Sequence, residues 1–582
     1  MKHLRRLLPD IRRHWLAYAG GLLCVILSNY FITLVPTFVQ RGIDAADRGR
    51  AMEGVYLALR LLLGAAVLGG LFRYAMRELL NSTSRRVETD LRNRLFGHLQ
   101  KLSAEFYDRF ATGDLMARST NDLLAVRMVA GPAVMYLSDT LFRAVMVMPK
   151  LLHINPHLTG IALLPLIGLP VMMVIFGRAI HRRTERVQAA YSDLTTAVHE
   201  NLSGTRIIRA YRQEAAETAR FRTINTEYAT RNLSLARVAG AFHPVLALLG
   251  GLGAVAVIWI GGGLVMQNTI TVGDFAAFNL QLVSLVWPMI ALGWAVNLVQ
   301  RGEASMGRIN ALFDNQPAIT SPAEPVALAP GATARTIEFE RVWFRFPNAH
   351  ARGWVLQDVS FRVPAGGALG IVGATGSGKS TIADLLVRTY DPDQGRILID
   401  GVDLRALSLE ALHRAVGIVP QETFLFSDTV RHNVLLGAPD DGRLERVAET
   451  SQLAAAIPDL PKGYDTMLGE RGINLSGGQR QRAAIARALA QDPPVFVLDD
   501  SLSAVDTQTE ARILHGLRSA LASRTRIIIS HRLSAVREAD LIIVLDQGKV
   551  VESGTHEALM GAKGRYWELL RRQETEEELE TV

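Results

Sequence analysis

One cysteine in 582 residues, Cys24, leaves no internal disulfide and suits a reducing, cytoplasmic side. Its expected role is that of a small apolar residue in a helix. A cleavable secretory signal is not expected either. The first apolar stretch, Leu16–Val39, is too long for a signal core and lacks a small-residue cleavage site, so it reads as a membrane helix. Acidic charge is in deficit: 63 Lys and Arg against 56 Asp and Glu give a formal charge of +7 and a pI of about 9.6. The basic residues crowd Lys2–Arg13, Arg85–Arg127 and Arg178–Arg222, before or between apolar stretches. That distribution suits a lipid bilayer rather than nucleic acid, a partner that the apolar spans below exclude. By the positive-inside rule the N-terminus and both long basic loops are cytoplasmic. The short loop Gln40–Tyr56, which mixes Asp44, Asp47 and Glu53 with its arginines, lies outside.

The chain is too long for one core, since single cores rarely grow past about 250–300 residues. Mean hydropathy is +0.17, and apolar residues concentrate in the first half. Spans fall near Leu16–Val39, Tyr56–Met76, Met128–Leu152, Leu158–Phe176, Ala239–Val265 and Val272–Leu298. Each approaches the roughly 20 residues that cross about 30 Å of hydrocarbon. Six crossings return both termini to the cytoplasm. Between Arg77 and Tyr107 there is no proline and only Gly97. The second helix is therefore expected to run on for roughly 50 residues, about 75 Å, and to break near Thr112-Gly113-Asp114. The second loop predicts a helix from about Ala179, a break near Ser203-Gly204, and a short helix over Tyr211–Glu217. Such protrusions would serve as levers for an ATP-driven domain.

Leu312–Ala334 is rich in Pro and Ala without apolar periodicity, and reads as a linker between a membrane domain (1–311) and a soluble α/β domain (335–582). Strands are expected at Ile337–Phe339, Ala368–Val372, Arg396–Ile399, Val416–Val419, Val495–Leu498, Arg526–Ile529 and Leu541–Leu545. They predict a mostly parallel sheet with flanking helices and an antiparallel part at its start. The acidic end Glu574–Glu580 predicts a solvated, frayed tail.

The chemistry sits between Gly373 and His531. Gly373-Ala374-Thr375-Gly376-Ser377-Gly378-Lys379-Ser380 follows an expected strand and precedes a helix, Thr381–Arg388. Its glycines let backbone N–H groups close around a β-phosphate, Lys379 neutralises β/γ oxygens, and Ser380 ligates Mg²⁺. Asp499 ends an apolar strand, where a metal carboxylate belongs. ATP and Mg²⁺ are the implied cofactors.

Gln421, Leu475-Ser476-Gly477-Gly478-Gln479, Asp499-Asp500 and His531 follow in the order of an ATP-binding cassette. With Phe106-Tyr-Asp, Gly113-Asp-Leu-Met-Ala-Arg-Ser-Thr-Asn-Asp122 and Trp287-Pro-Met, the whole chain resembles an ABC exporter half-transporter of the type IV-like fold. It is particularly similar to the MdlA/BmrC type, the Walker-B-variant subunit of heterodimeric bacterial multidrug exporters. The resemblance implies about six transmembrane helices with long cytosolic extensions joined to an α/β P-loop domain, in the bacterial cytoplasmic membrane. It implies an adenine-stacking role for Phe346, phosphate contacts from Gly373, Thr375–Thr381 and Lys379, and Mg²⁺ contacts from Ser380, Gln421 and Asp499. Ser476–Gln479 would cap the ATP held by a second half-transporter. Gln421 and His531 would act beside the hydrolytic residue, Ser503-Ala-Val-Asp506 would be the D-loop, and Glu470-Arg-Gly472 the loop beside the coupling helices.

The departure is Asp500, where the family usually has Glu. Its carboxylate sits back by about 1.5 Å, one C–C bond. Slow hydrolysis at a site that still binds ATP is expected, and a heterodimeric partner could supply a Glu site; a small backbone shift that restores Asp500 is the alternative. Asp139 and Arg143, four apart in the third span, share a face as cargo contacts or as an ion pair. Arg60 and Arg73, near span ends, are expected to snorkel. Asn279, Gln281, Asn297, Trp287 and Trp294 line a cavity or serve helix packing. Export of lipophilic or amphipathic compounds is the implied activity. A lipid or lipopeptide flippase and an ATP-gated channel or regulatory subunit are the rivals.

Overall fold

The computed structural model describes residues 2–47, 52–347 and 353–580, with the Arg471 side chain and the side chains after Thr575 left aside. Positions 48–51 of the expected outer loop Gln40–Tyr56 lie outside the described residues. Two compact units emerge, one from 1–100 and 113–315, the other from 101–112 and 316–582.

In the first unit the principal helices are α1 (Trp15–Asp47), α2 (Met52–Leu99), α4 (Val134–Ile154), α5 (Pro156–Ser203), α6 (Thr205–Ala210), α7 (Glu214–Ala256) and α8 (Val272–Phe313); α3 (Ala104–Arg109) belongs to the second. Among the described residues five helices are long and apolar enough to cross a membrane: α1, α2, α5, α7 with its continuation to Met266, and α8. The expected third span is less apolar. Its helix α4 has 21 residues and carries Asp139, Arg143 and Lys150, and a π turn at Val129–Ala133 precedes it. Proline interrupts α1 (Pro36), α4 (Pro149), α5 (Pro165, Pro170), α7 (Pro244) and α8 (Pro288), where neighbouring helices tolerate it; α2 has none.

Asp139 and Arg143 form an ion pair at 3.4 Å, and both are buried. Asn29 of α1 completes a triad, donating to Asp139 Oδ1 at 2.9 Å and accepting from Arg143 Nε at 2.9 Å. Buried charge is thus hydrogen-bonded across two helices rather than left in hydrocarbon. Close approach elsewhere needs glycine: a Cβ on Gly131 would lie 2.6 Å from Ser84 Cβ on α2.

Two helix ends differ from expectation. The second helix stops at Leu99, before Thr112, because Gln100–Ser103 turns away so that Leu102 in the turn and Phe106 in α3 are buried as part of the other unit. The short helix after Gly204 is α6, Thr205–Ala210, and Tyr211–Gln213 is the turn, not the start of a helix. Gln213 N donates to Ile208 O at 2.9 Å, and Arg212 has a φ of 53°, the closing pattern of a helix C-terminus.

The second unit holds β1 (Ile337–Phe344), β2 (Leu356–Val363), β3 (Ala368–Gly373), α9 (Lys379–Leu386), β4 (Gln394–Ile399), β5 (Val402–Asp403), β6 (Val416–Val419), α10 (Gly477–Ala490), β7 (Val495–Asp499), α11 (Thr507–Ala520), β8 (Thr525–Ile529), β9 (Leu541–Asp546) and β10 (Lys549–Gly554). One sheet is antiparallel, in the order β2-β1-β4-β5; the other runs β10-β9-β3-β8-β7-β6, parallel except for β10. β2, β5 and β10 were not expected from sequence. The fully buried strand β3 lies between β9 and β8, so its C-terminal loop opens at the centre of the sheet's edge. Leu312 and Phe313 are helical and buried, so the extended linker starts only at Asp314. At the far end the backbone is helical through Glu580, where a frayed tail was expected.

Candidate functional site

The loop after β3 is shaped by backbone that only glycine accepts. Gly373 (φ 152°), Gly376 (φ 81°) and Gly378 (φ 100°) all have positive φ. A Cβ on Gly378 would stand 2.8 Å from Leu356 Cδ2, and one on Gly373 would collide with Leu545 O. α9 begins at Lys379 directly after this turn, so its free N–H groups face the loop. Lys379 Nζ folds back to donate to Gly373 O and Ala374 O, each at 2.9 Å. Burial lowers the Lys379 pKa, and the charges of Asp500 and Asp499 oppose that shift. Ser377 is buried and its Oγ has no hydrogen-bond partner among the described residues. Thr375 is exposed and Thr381 buried.

Ser380 Oγ donates to Asp499 Oδ1 at 3.0 Å, joining α9 to the end of β7. Burial raises the Asp499 pKa, with Asp500 adding to the rise and Ser380 and Lys379 countering it. The orphaned Ser377 hydroxyl, the glycine cradle and the inward ammonium together fit a polyphosphate, and Ser380 with Asp499 fits its Mg²⁺. Among the described residues no group of three or more His, Cys, Asp and Glu could hold a metal alone, so phosphate oxygens would complete the shell.

Asp500 is the first residue beyond β7, held at φ 43° with its N–H on Ile529 O at 2.8 Å. One carboxylate oxygen meets His531 Nδ1 at 2.7 Å, and the other accepts from Gln421 Nε2 at 3.5 Å. Asp500, His531 and Gln421 thus form one cluster. Phe346 packs edge-on against Phe344 (5.1 Å) and Tyr390 (5.4 Å).

Ser476–Gln479 open α10 with reciprocal caps: Gln479 N donates to Ser476 Oγ (3.2 Å) and Ser476 N to Gln479 Oε1 (2.8 Å). Gly477 and Gly478 lie against Ala504 of the 503–506 turn, and Asp506 caps α11 through Thr509 N at 2.9 Å. Among the described residues no hydrogen bond or ion pair joins Ser476–Gln479 to the 373–380 loop.

Three residues of this region escaped sequence reasoning. Gln481 is buried and bridges α10 to the turn through Ser503 Oγ (3.2 Å) and Ala504 N (3.0 Å). Tyr390 donates its hydroxyl to Asp108 of α3 at 2.7 Å. Asp384, one turn into α9 from Ser380, has its pKa pushed up to about 6 by burial, then by the charges of Asp499 and Asp108. Only the four-residue spacing from Ser380 could have flagged Asp384; nothing in sequence links Tyr390 with Asp108.

In the membrane unit, Trp294 and Asn297 line a cleft of about 560 Å³ between α5 and α8, and Trp287 and Trp294 line a second of about 470 Å³ that also touches α7. Gln281 is instead buried, with its Oε1 lacking a partner among the described residues. Asn279 lines neither cleft.

Residues 18–289 match the family description "ABC transporter transmembrane region", and residues 356–503 match "ABC transporter". The chain is 37% identical to "Probable multidrug resistance ABC transporter ATP-binding/permease protein YheI" of Bacillus subtilis (strain 168), over 98% of this chain and 97% of that one. It is 36% identical to "Multidrug resistance-like ATP-binding protein MdlA" of Escherichia coli (strain K12), over 98% and 96%. It is 34% identical to an "ATP-dependent lipid A-core flippase" of Syntrophus aciditrophicus (strain SB), over 98% and 94%. Among solved structures, a bacterial Atm1-family ABC exporter with ATP bound aligns with a TM-score of 0.76 at 29% identity, covering 97% of this chain and 99% of that one.

Proposed function

The chain belongs to the ABC transporter family, as an ATP-driven exporter with fused membrane and ATPase domains, and we propose that it is one half of a heterodimer that moves lipophilic or amphipathic compounds outward. We place it in the bacterial cytoplasmic membrane, with the N-terminus and ATPase domain inside. ATP, when bound, supplies the γ-phosphoryl group whose transfer to water drives the cycle. In our reading Phe346 stacks the adenine, the 373–381 segment with Lys379 holds the phosphates, and Ser380, Asp499 and Gln421 hold Mg²⁺. Ser476–Gln479 complete the site of the other subunit.

The observation that carries the heterodimer is the geometry of Asp500. Both oxygens of its short carboxylate are engaged, one by His531 at 2.7 Å and the other by Gln421 at 3.5 Å. Lys379, Ser380 and Asp499 remain in place, so this site binds ATP but turns it over slowly. A partner with Glu at the matching position would carry most of the hydrolysis. Movement passes from α2 through the continuous segment Lys101–Thr112, where Tyr390 holds Asp108. ATP turnover by the purified chain, alone and with a co-expressed second half-transporter, tests this: brisk hydrolysis by the lone chain removes the heterodimer.

The lipid-flippase reading shares the same scaffold and is favoured by the 34% identity to a lipid A-core flippase. Flipping of a fluorescent lipid in proteoliposomes separates it from export of soluble amphiphiles.

A further inference from the structure

Two clefts of the membrane unit meet at Met173 and Trp294, which line both. Their chemistry is polarised. One chamber is walled by Phe242, Leu246, Val286, Trp287 and Ile290, an apolar and aromatic surface with His243 as the one titratable group among the described residues. The other carries Arg178, Arg301 and His181, and among the described residues no carboxylate lines either chamber. Glu185 pairs with His181 at 3.3 Å, and Glu303, two residues past Arg301, accepts from His3 N and Leu4 N. Neither Arg178 nor Arg301 has a hydrogen-bond or ion-pair partner among the described residues.

Helix geometry sets the depth of the basic end. Arg178 lies 22 residues into α5, and Arg301 29 residues into α8. At 1.5 Å per residue these are about 33 Å and about 44 Å from the helix starts, at or past one edge of a roughly 30 Å core. The helices approach closely at Gly293, where a Cβ would meet Met173 Cγ at 2.7 Å. One turn further along α5, a Cβ on Gly177 would meet nothing within 4 Å, so the cleft opens at that level.

We propose that this double cleft binds amphipathic anions, with the head group between Arg178 and Arg301 and the apolar body against Trp294, Trp287 and Phe242. The inference rests on the exporter reading above and narrows its cargo class. Two unpaired guanidiniums, one from each helix that walls the cleft, reward an acidic head group and penalise a cationic one. Volumes of about 560 and about 470 Å³ are of the size that encloses a drug-like or single-chain lipid molecule.

The test is tryptophan quenching of the full chain, with its partner subunit if one co-purifies, in nanodiscs of zwitterionic phosphatidylcholine. The probes are 12-bromododecyl sulfate and 12-bromododecyltrimethylammonium, which share a tail and differ in charge. The signal is the part of the quenching lost when Trp287 and Trp294 are both changed to Phe. The sulfate is expected to bind at least about 10-fold more tightly, and Arg178→Gln and Arg301→Gln each to remove most of that preference. Gly177→Leu, at a position where an added Cβ meets nothing within 4 Å, weakens both probes, whereas Gly160→Leu, where a Cβ on the same helix is equally unobstructed, does not. Equal affinity for the two probes overturns the proposal. So does a preference that survives both Arg changes, which would leave the arginines as interfacial anchors, or quenching that never saturates. ATP-driven flux in proteoliposomes is read separately. Flux without charge preference leaves the exporter and removes this inference, and charge-selective binding without flux does the reverse.

Discussion

Replacing Asp500 with Glu adds one methylene and moves the carboxylate outward by about 1.5 Å. In the structure that carboxylate is tied to His531 at 2.7 Å and Gln421 at 3.5 Å, so the longer side chain can keep the first contact and still reach beyond it. General-base catalysis contributes about 10²–10⁴-fold, and a misplacement of about 1 Å can cost about 10²-fold. Part of this function survives in Asp, so Asp500→Glu should raise kcat of the lone chain by about 10- to 100-fold. That is about 1.4–2.7 kcal/mol off the barrier. The KM for ATP should stay within about threefold, because Lys379, Ser380 and Asp499 are untouched. A second readout accompanies it. Asp500 sits at φ 43°, a region Asp tolerates better than Glu, so the variant should lose a few tenths to about 1 kcal/mol of stability. Steady-state turnover with single-turnover hydrolysis of bound ATP measures the first effect, and thermal unfolding the second. A change in kcat below twofold, with ATP still bound, would refute the argument and make Asp500 a competent catalytic residue.

Asp384→Asn should stabilise the chain at neutral and alkaline pH. Burial raises this carboxyl to about 6 from an ordinary value near 3.8, so its ionisation in the folded state costs stability above about pH 6 and that cost fades as pH falls toward 4. The full shift would be about 3 kcal/mol, which partial exposure reduces to about 1–2, or roughly 2–8 °C in Tm at pH 8, falling to about half of that at pH 4.5 and to almost nothing below about pH 3.5 by scanning fluorimetry. Asn29→Leu leaves Asp139 and Arg143 without their bridge and should cost about 3 kcal/mol or more, read as a lower unfolding temperature in detergent; no loss would mean that the ion pair at 3.4 Å suffices alone. Tyr390→Phe removes the hydrogen bond to Asp108, about 1–2 kcal/mol, and should lower cargo-stimulated ATPase more than basal ATPase. Equal loss of both would place Tyr390 in folding alone.

Much of the ATPase domain was legible because its elements are locally determined. The buried runs that became β3, β6 and β7 carry unbroken apolar sequence, and the turn at 373–378 announces itself by glycine. The strands that escaped have weaker signals: β10 is an edge strand with an alternating half-exposed pattern, and β2 mixes Arg362 and Asp358 into its face. The end of α2 could not be read locally. Helix-forming residues continue to Tyr107, and the break at Gln100–Ser103 follows from burying Leu102 and Phe106 with residues more than 200 positions away. Asn29 was invisible for the same reason, since its role depends on a helix more than 100 residues on.

The distribution of proline has a mechanical corollary. A proline inside a helix deletes a backbone hydrogen bond and softens the rod at that point. Every long membrane helix described carries at least one such soft point except α2, whose 48 residues span about 72 Å. Elastic deformation therefore concentrates in the other five. α2, continuous in sequence with α3, is the stiffest member of the set, and displacement applied at its Leu99 end reaches its Met52 end with little lost to bending.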